Sequence, residues 1–179
     1  MTERQRTLTQ SNIESAIENY LALVDALPLT FSAENILSLL TRPKRTPTGA
    51  GPYPKVSLFE SANRIMTDLV ILYGVRSLLT EHKAVLDFDE YQVEYGNENK
   101  NDHDILASKK GRRLYGEAFN VSPTFFQTKK AKSIKKLRDG ATADDFLLIM
   151  YNSDAVSTSY EPTIHGNEIH LPVAIKNWK

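Results

Sequence analysis

Two acidic residues stand where their surroundings demand an explanation. Asp104 opens the apolar stretch Asp104-Ile-Leu-Ala107 just after a polar turn, and Glu117 lies inside Tyr115-Gly-Glu-Ala-Phe119. Lys109-Lys-Gly-Arg-Arg113 reads as the turn of a hairpin, so counting back from it sets the two acids roughly opposite each other. Glu117 has Tyr115 and Phe119 as its neighbours two residues away, which puts it on an apolar strand face. Carboxylates that converge disfavour each other's ionisation unless a cation lies between them. Ligation by oxygen alone suits Mg2+ or Mn2+.

The following segment supplies a cation. Ser122-Pro123 marks a helix start and Asp139-Gly140 its end, with Phe126, Ile134 and Leu137 as the core-facing stripe. Lys130 shares that stripe, and an ammonium buried without a partner is costly. A carboxylate pair beneath Lys130 removes the anomaly and leaves the lysine able to orient water or stabilise a developing phosphorane. Lys129 is its nearest competitor. Each acid taken singly also has a plain structural reading, Asp104 as a turn acid and Glu117 on a solvated strand face. Asp102, on the same strand face as Asp104, is the alternative ligand, whereas His103 alternates to the opposite side and reads as surface.

Together, Asn101-Asp-His-Asp-Ile105, Gly116-Glu-Ala-Phe-Asn120 and Lys129-Lys130 resemble the restriction-endonuclease-like PD-(D/E)XK nuclease superfamily. The resemblance covers roughly residues 56–151 and rests on short motifs. It implies a core of helix, three-stranded meander, helix and strand, with a divalent metal held by Asp104 and Glu117. The implied activity is that of a magnesium-dependent DNA endonuclease, restriction-like, and a homodimer where both strands are cut. The superfamily's lysine stands two residues after the second acid, a place taken here by Phe119. Either its function has moved to Lys130, or the chain is a catalytically inactive nuclease fold that binds nucleic acid or assembles with a partner. An acid of the first core helix sometimes faces the metal in this superfamily. Here Glu60, Asn63, Arg64 and Asp68 form a polar stripe that reads more simply as solvent-exposed.

The elements that must position these residues follow from periodicity. Residues 1–54 read as an N-terminal helical extension with a Pro/Gly-rich loop, and residues 55–179 as a nuclease-like α/β domain. Ile13, Ile17, Tyr20, Leu21, Val24 and Leu27 keep to one helical stripe, with Ser11 and Glu14 as a capping box and Pro28 as the stop. Ser32 starts a second short helix that ends at Leu40, before Pro43. Residues 43–54 hold four prolines and two glycines and read as a connector, with Arg42, Lys44 and Arg45 at its start. A long helix over 56–80 is apolar nearly all round in its second half, so it is buried. Val85, Tyr91, Val93 and Tyr95 then alternate as a strand, Phe146–Tyr151 is a strand buried on both faces, and 168–175 is an edge strand. The sum is an α/β fold with a mixed sheet flanked by helices.

Composition narrows the chemistry further. The 179 residues carry 22 basic and 22 acidic side chains, so no global field draws in nucleic acid or membrane. Cysteine is absent, which excludes disulfide scaffolds, zinc fingers, thiol nucleophiles and iron–sulfur centres. The polar N-terminus and the lack of any long apolar run fit a cytoplasmic protein off the membrane. Charge is clustered locally. Lys109, Lys110, Arg112 and Arg113 form one basic group, and Lys129, Lys130, Lys132, Lys135, Lys136 and Arg138 another. Patches that flank an acidic pocket are the footprint of phosphate-backbone binding, and DNA is the expected partner. His165 and His170 read as surface or edge-strand residues.

Overall fold

Near residue 84 the spacing of apolar residues changes from helical to alternating, and the polypeptide turns from helix to strand a few residues later, between Leu86 and Glu90. The computed structural model describes residues 5–28, 32–96 and 101–175. Its elements run β1 (Thr7–Thr9), α1 (Ile13–Asp25), α2 (Ile36–Arg45), α3 (Leu58–Thr80), α4 (Lys83–Leu86), β2 (Glu90–Val93), β3 (Ile105–Lys109), β4 (Arg112–Phe119), α5 (Pro123–Gly140), β5 (Phe146–Asn152) and β6 (Glu168–Val173).

The six strands form one mixed sheet in sequence order. The first four pair antiparallel, while β4–β5 and β5–β6 are parallel. The β3–β4 turn at Lys110-Gly111 takes positive φ at both residues, 52° and 82°, which lets two residues join twisted strands. The parallel β4–β5 pair requires a crossover, and α5 supplies it.

Alternation along β4 splits the core. Leu114 and Ala118 pack with α1 and α3 on one face, and Phe119 packs with Phe126, Leu137 and Tyr151 under α5 on the other. Glu117 falls on the α5 side with Tyr115 and Phe119, as its spacing predicts. The N-terminal segment belongs to the main core. Leu8 on β1 pairs with Tyr91 at the sheet edge, and Ile13, Ile17 and Tyr20 are buried against the rest.

Several boundaries differ from their sequence expectation. Asn12, not Ser11, precedes α1, and its side chain is spent on Thr7 and Thr9 of β1. Asn35, not Ser32, caps α2 by accepting from the Ser38 amide. The helix continues through Pro43, which lies in its last turns, where exposed carbonyls lose little by going unpaired. Val85 lies exposed in α4 rather than in a strand. Among the described residues, no helix is long and apolar enough to cross a membrane.

Candidate functional site

β3 begins at Ile105, paired with Gly116, so Asp104 sits one step before the ladder, in line with Glu117. Its main chain still serves the sheet, since its carbonyl accepts from Glu94 N at 2.9 Å. Its side chain reaches β4 instead, where Oδ2 accepts from the Ala118 amide at 2.9 Å. Glu117 is held from the opposite direction. Its Oε1 accepts from Lys136 Nζ at 2.7 Å and lies 3.2 Å from His103 Nδ1. The other oxygen of each carboxylate takes no hydrogen bond from a described residue.

Both acids line one cleft of about 460 Å3 at the carboxyl end of β4. The N-terminal half of α3 forms one wall through Glu60, Asn63 and Arg64, and α5 forms the other through Lys129 and Lys136. Buried Glu94, which accepts from the Asn101 amide at 2.7 Å, closes the base. Desolvation, reinforced by the negative charge of Glu117, pushes the Asp104 carboxyl up to about 6. The two acids are thus close enough to repel.

Arg64 is held in an unusual way. Its guanidinium lies over the Tyr53 ring, 5.4 Å from the centroid, and pairs with Glu60 at 2.5 Å. Its Nε is buried without a hydrogen-bond partner. Asp68, the last polar residue of that stripe, is fully buried and accepts from the Tyr20 and Tyr53 hydroxyls and from the Gly96 amide. The stripe expected to face solvent therefore lines the cleft and supports its rim. The long helix must cover the sheet, and its first turns overhang the sheet's end.

Lys130 is not part of this cleft. It is half-buried, as its stripe requires, but its Nζ donates to the Tyr160 hydroxyl at 2.8 Å. Helical geometry explains the exchange of roles. Lys129 and Lys136 are seven residues apart and return to the same side of α5, while Lys130 is turned about 100° from Lys129. His103, expected at the surface, has a side chain only 10% exposed, packed against Tyr115 with ring centroids 5.1 Å apart. Asp102 is exposed and does not line the cleft.

The basic hairpin does not flank the acids. Lys109 pairs with Asp87 and Asp89 at 2.9 and 2.8 Å, and Arg113 forks onto Asp145 with two bonds of 2.9 Å. Arg112 lies over the Phe146 ring, and Lys110 is exposed in the turn. All four sit at the far end of β4, and even Arg113 is about 13 Å along the strand from Glu117. In the other cluster, Lys129 and Lys136 reach the cleft, Lys132 is exposed, and Arg138 is paired with Glu168.

Sequence reasoning missed Lys136 as the partner of Glu117, although the seven-residue interval from Lys129 was there to be read. It also missed Arg64 and Glu94, whose roles depend on how α3 and the strand ends meet.

Among the described residues, no three histidine, aspartate or glutamate side chains gather into a complete cation cage. Two carboxylates with free oxygens in an open polar cleft still fit Mg2+, which takes one or two protein carboxylates and keeps several waters. No protein-family model, curated protein or solved structure matches the chain.

Proposed function

We propose that the protein is a divalent-metal-dependent endonuclease acting on DNA, in the manner of the restriction-endonuclease-like nucleases. The observation that carries this reading is the convergence of Asp104 and Glu117 in one cleft whose wall presents Lys129 and Lys136. Burial raises the Asp104 carboxyl and the charge of Glu117 raises it further, and a cation shared between the two acids would relieve that repulsion.

Asp104 and Glu117 would hold Mg2+ or Mn2+, which when bound polarises a phosphoryl oxygen and acidifies a water. The chain's own groups do the remaining work. The Ala118 amide fixes Asp104, and His103 together with Lys136 fixes Glu117, so both carboxylates are oriented before substrate arrives. Lys129 and Lys136 bring positive charge to the α5 wall, where it attracts a phosphodiester and stabilises negative charge growing on its oxygens. Arg64 lines the opposite wall and adds its guanidinium charge there.

Cleavage of a labelled duplex oligonucleotide with Mg2+, wild type against Glu117→Ala, tests the reading. Turnover in the wild type, abolished by the substitution and by chelator, is the expected result.

A second reading has its own support. Glu117 is already neutralised by Lys136, and Phe119 stands where the superfamily places its lysine. In that case the chain binds nucleic acid without cutting it. Salt-sensitive retention on DNA with no turnover in Mg2+ or Mn2+ would identify it.

A further inference from the structure

Helix α2 is mounted with its polar side inward. Ser38 and Thr41 are half-buried toward the body of the protein, and none of the ten residues is fully buried. Ile36, Leu37 and Leu40 point to solvent at 69%, 67% and 60% exposure, with Leu39 beside them. Phe59, from the first turn of α3, is 53% exposed, and Lys44 extends over its ring. These five apolar side chains leave on the order of 600 Å2 in water, the upper end of what a monomer exposes in one patch.

We propose that α2 is a self-association helix, pairing antiparallel with α2 of a second copy of this chain about a two-fold axis near Leu39. Three features select this occupant. The helix is polarised, with exposed Glu34 just before its start and Lys44 in its last turn, so an antiparallel pair sets each acid beside the other copy's base. Glu34 and Lys44 stand equally far from Leu39, which is what a two-fold contact requires. Patches of that size on both copies bury roughly 1,200 Å2 together, above the ~1,000 Å2 that a specific interface needs. The chain is also electrically neutral overall, so its copies do not repel. A lipid surface suits the pattern less well: of the three bases in the last turn, Arg42 is spent on the Ser32 carbonyl and Lys44 lies over the Phe59 ring, while Glu34 at the other end opposes an anionic membrane. The inference stands independently of the nuclease reading.

Sedimentation velocity of the full chain tests it. Wild type at tens of micromolar should sediment as a dimer of about 40 kDa, and Leu37→Asp/Leu40→Asp as a 20.2 kDa monomer with unchanged circular dichroism. Glu34→Lys and Lys44→Glu should each weaken the dimer about tenfold, and the two together should restore it. This rescue keeps the test decisive should the aspartates perturb folding. A monomeric wild type, a dimer indifferent to these substitutions, or a monomer that instead binds phosphatidylserine-containing vesicles through α2 would overturn the proposal.

Discussion

Lys136 reaches across from α5 to Glu117, 19 residues earlier in the chain, and holds its Oε1 at 2.7 Å. Lys130, six residues before it on the same helix, is committed to Tyr160 instead. The two lysines therefore have separable roles. Lys136→Ala should lower kcat of DNA cleavage by roughly 100-fold, as the loss of one group stabilising transition-state charge does. Lys130→Ala should leave kcat within about twofold and appear only as a small loss of melting temperature. Equal losses in both variants under single-turnover conditions would contradict this division.

Asp104 gives a pH-dependent expectation. Burial and the charge of Glu117 push its carboxyl up to about 6 in the folded chain, against about 3.9 for an aspartate in water. Between those values the folded chain holds the extra proton, so the contribution of this one group to stability is fully present below pH 4 and is lost as pH rises through 6. Asp104→Asn keeps an oxygen for the Ala118 amide and removes the charge. Without divalent cation the variant should be more stable than wild type by about 2 kcal/mol at pH 8, and no more stable at pH 4. Urea melts at both pH values measure this. The same variant should have lost metal-dependent cleavage.

Arg64 should act on binding. Its guanidinium is positioned by Glu60 and Tyr53 while Nε lacks a partner. Arg64→Ala should raise KM for oligonucleotide roughly tenfold or more with a smaller change in kcat, and Arg64→Lys should recover only part, because an ammonium cannot reproduce the planar fork. Steady-state kinetics at fixed ionic strength separate the two parameters.

The hairpin cations should matter little to DNA. Replacing Lys110 and Arg112 with glutamine should leave the salt dependence of binding nearly unchanged. The same replacement at Lys129 and Lys136 should reduce the slope of log K against log salt by about 2. Fluorescence anisotropy titrations across a salt series report both.

Asp68 is expected to be the most destabilising of these positions. Truncation to alanine removes the buried acceptor shared by two tyrosine hydroxyls and the Gly96 amide, a loss of about 3 kcal/mol by chemical denaturation. Gly96→Ala should also destabilise, since Gly96 has φ of +64° and its added Cβ would meet the Tyr53 ring at 2.8 Å.

The order of elements, the sheet and the placement of Asp104 and Glu117 opposite each other were legible because alternation and turn chemistry are local signals. The face of Glu117 followed from Tyr115 and Phe119 two residues away. The choice among lysines of α5 was not legible in the same way. Lys130 lies on the core stripe, but that stripe also meets Tyr160, which comes from a loop after β5 that carries no periodicity. Arg64 and Asp68 were read as an exposed stripe because nothing in α3 reports that its first turns overhang the end of a sheet assembled later in the chain. Strand β1 escaped notice for a similar reason. Three residues show no period, and Leu8 is recognisable as a strand residue only through Tyr91.

Because Tyr20 and Tyr53 share the Asp68 carboxylate with Gly96, and β1 zips onto β2, the first third of the polypeptide is the keystone of the cleft rather than an appendage. A chain trimmed to begin at residue 55 would uncover the flank of β2 and strip the Asp68 carboxylate of both tyrosine hydroxyls. Its fate should be aggregation through that raw flank, not a smaller working domain.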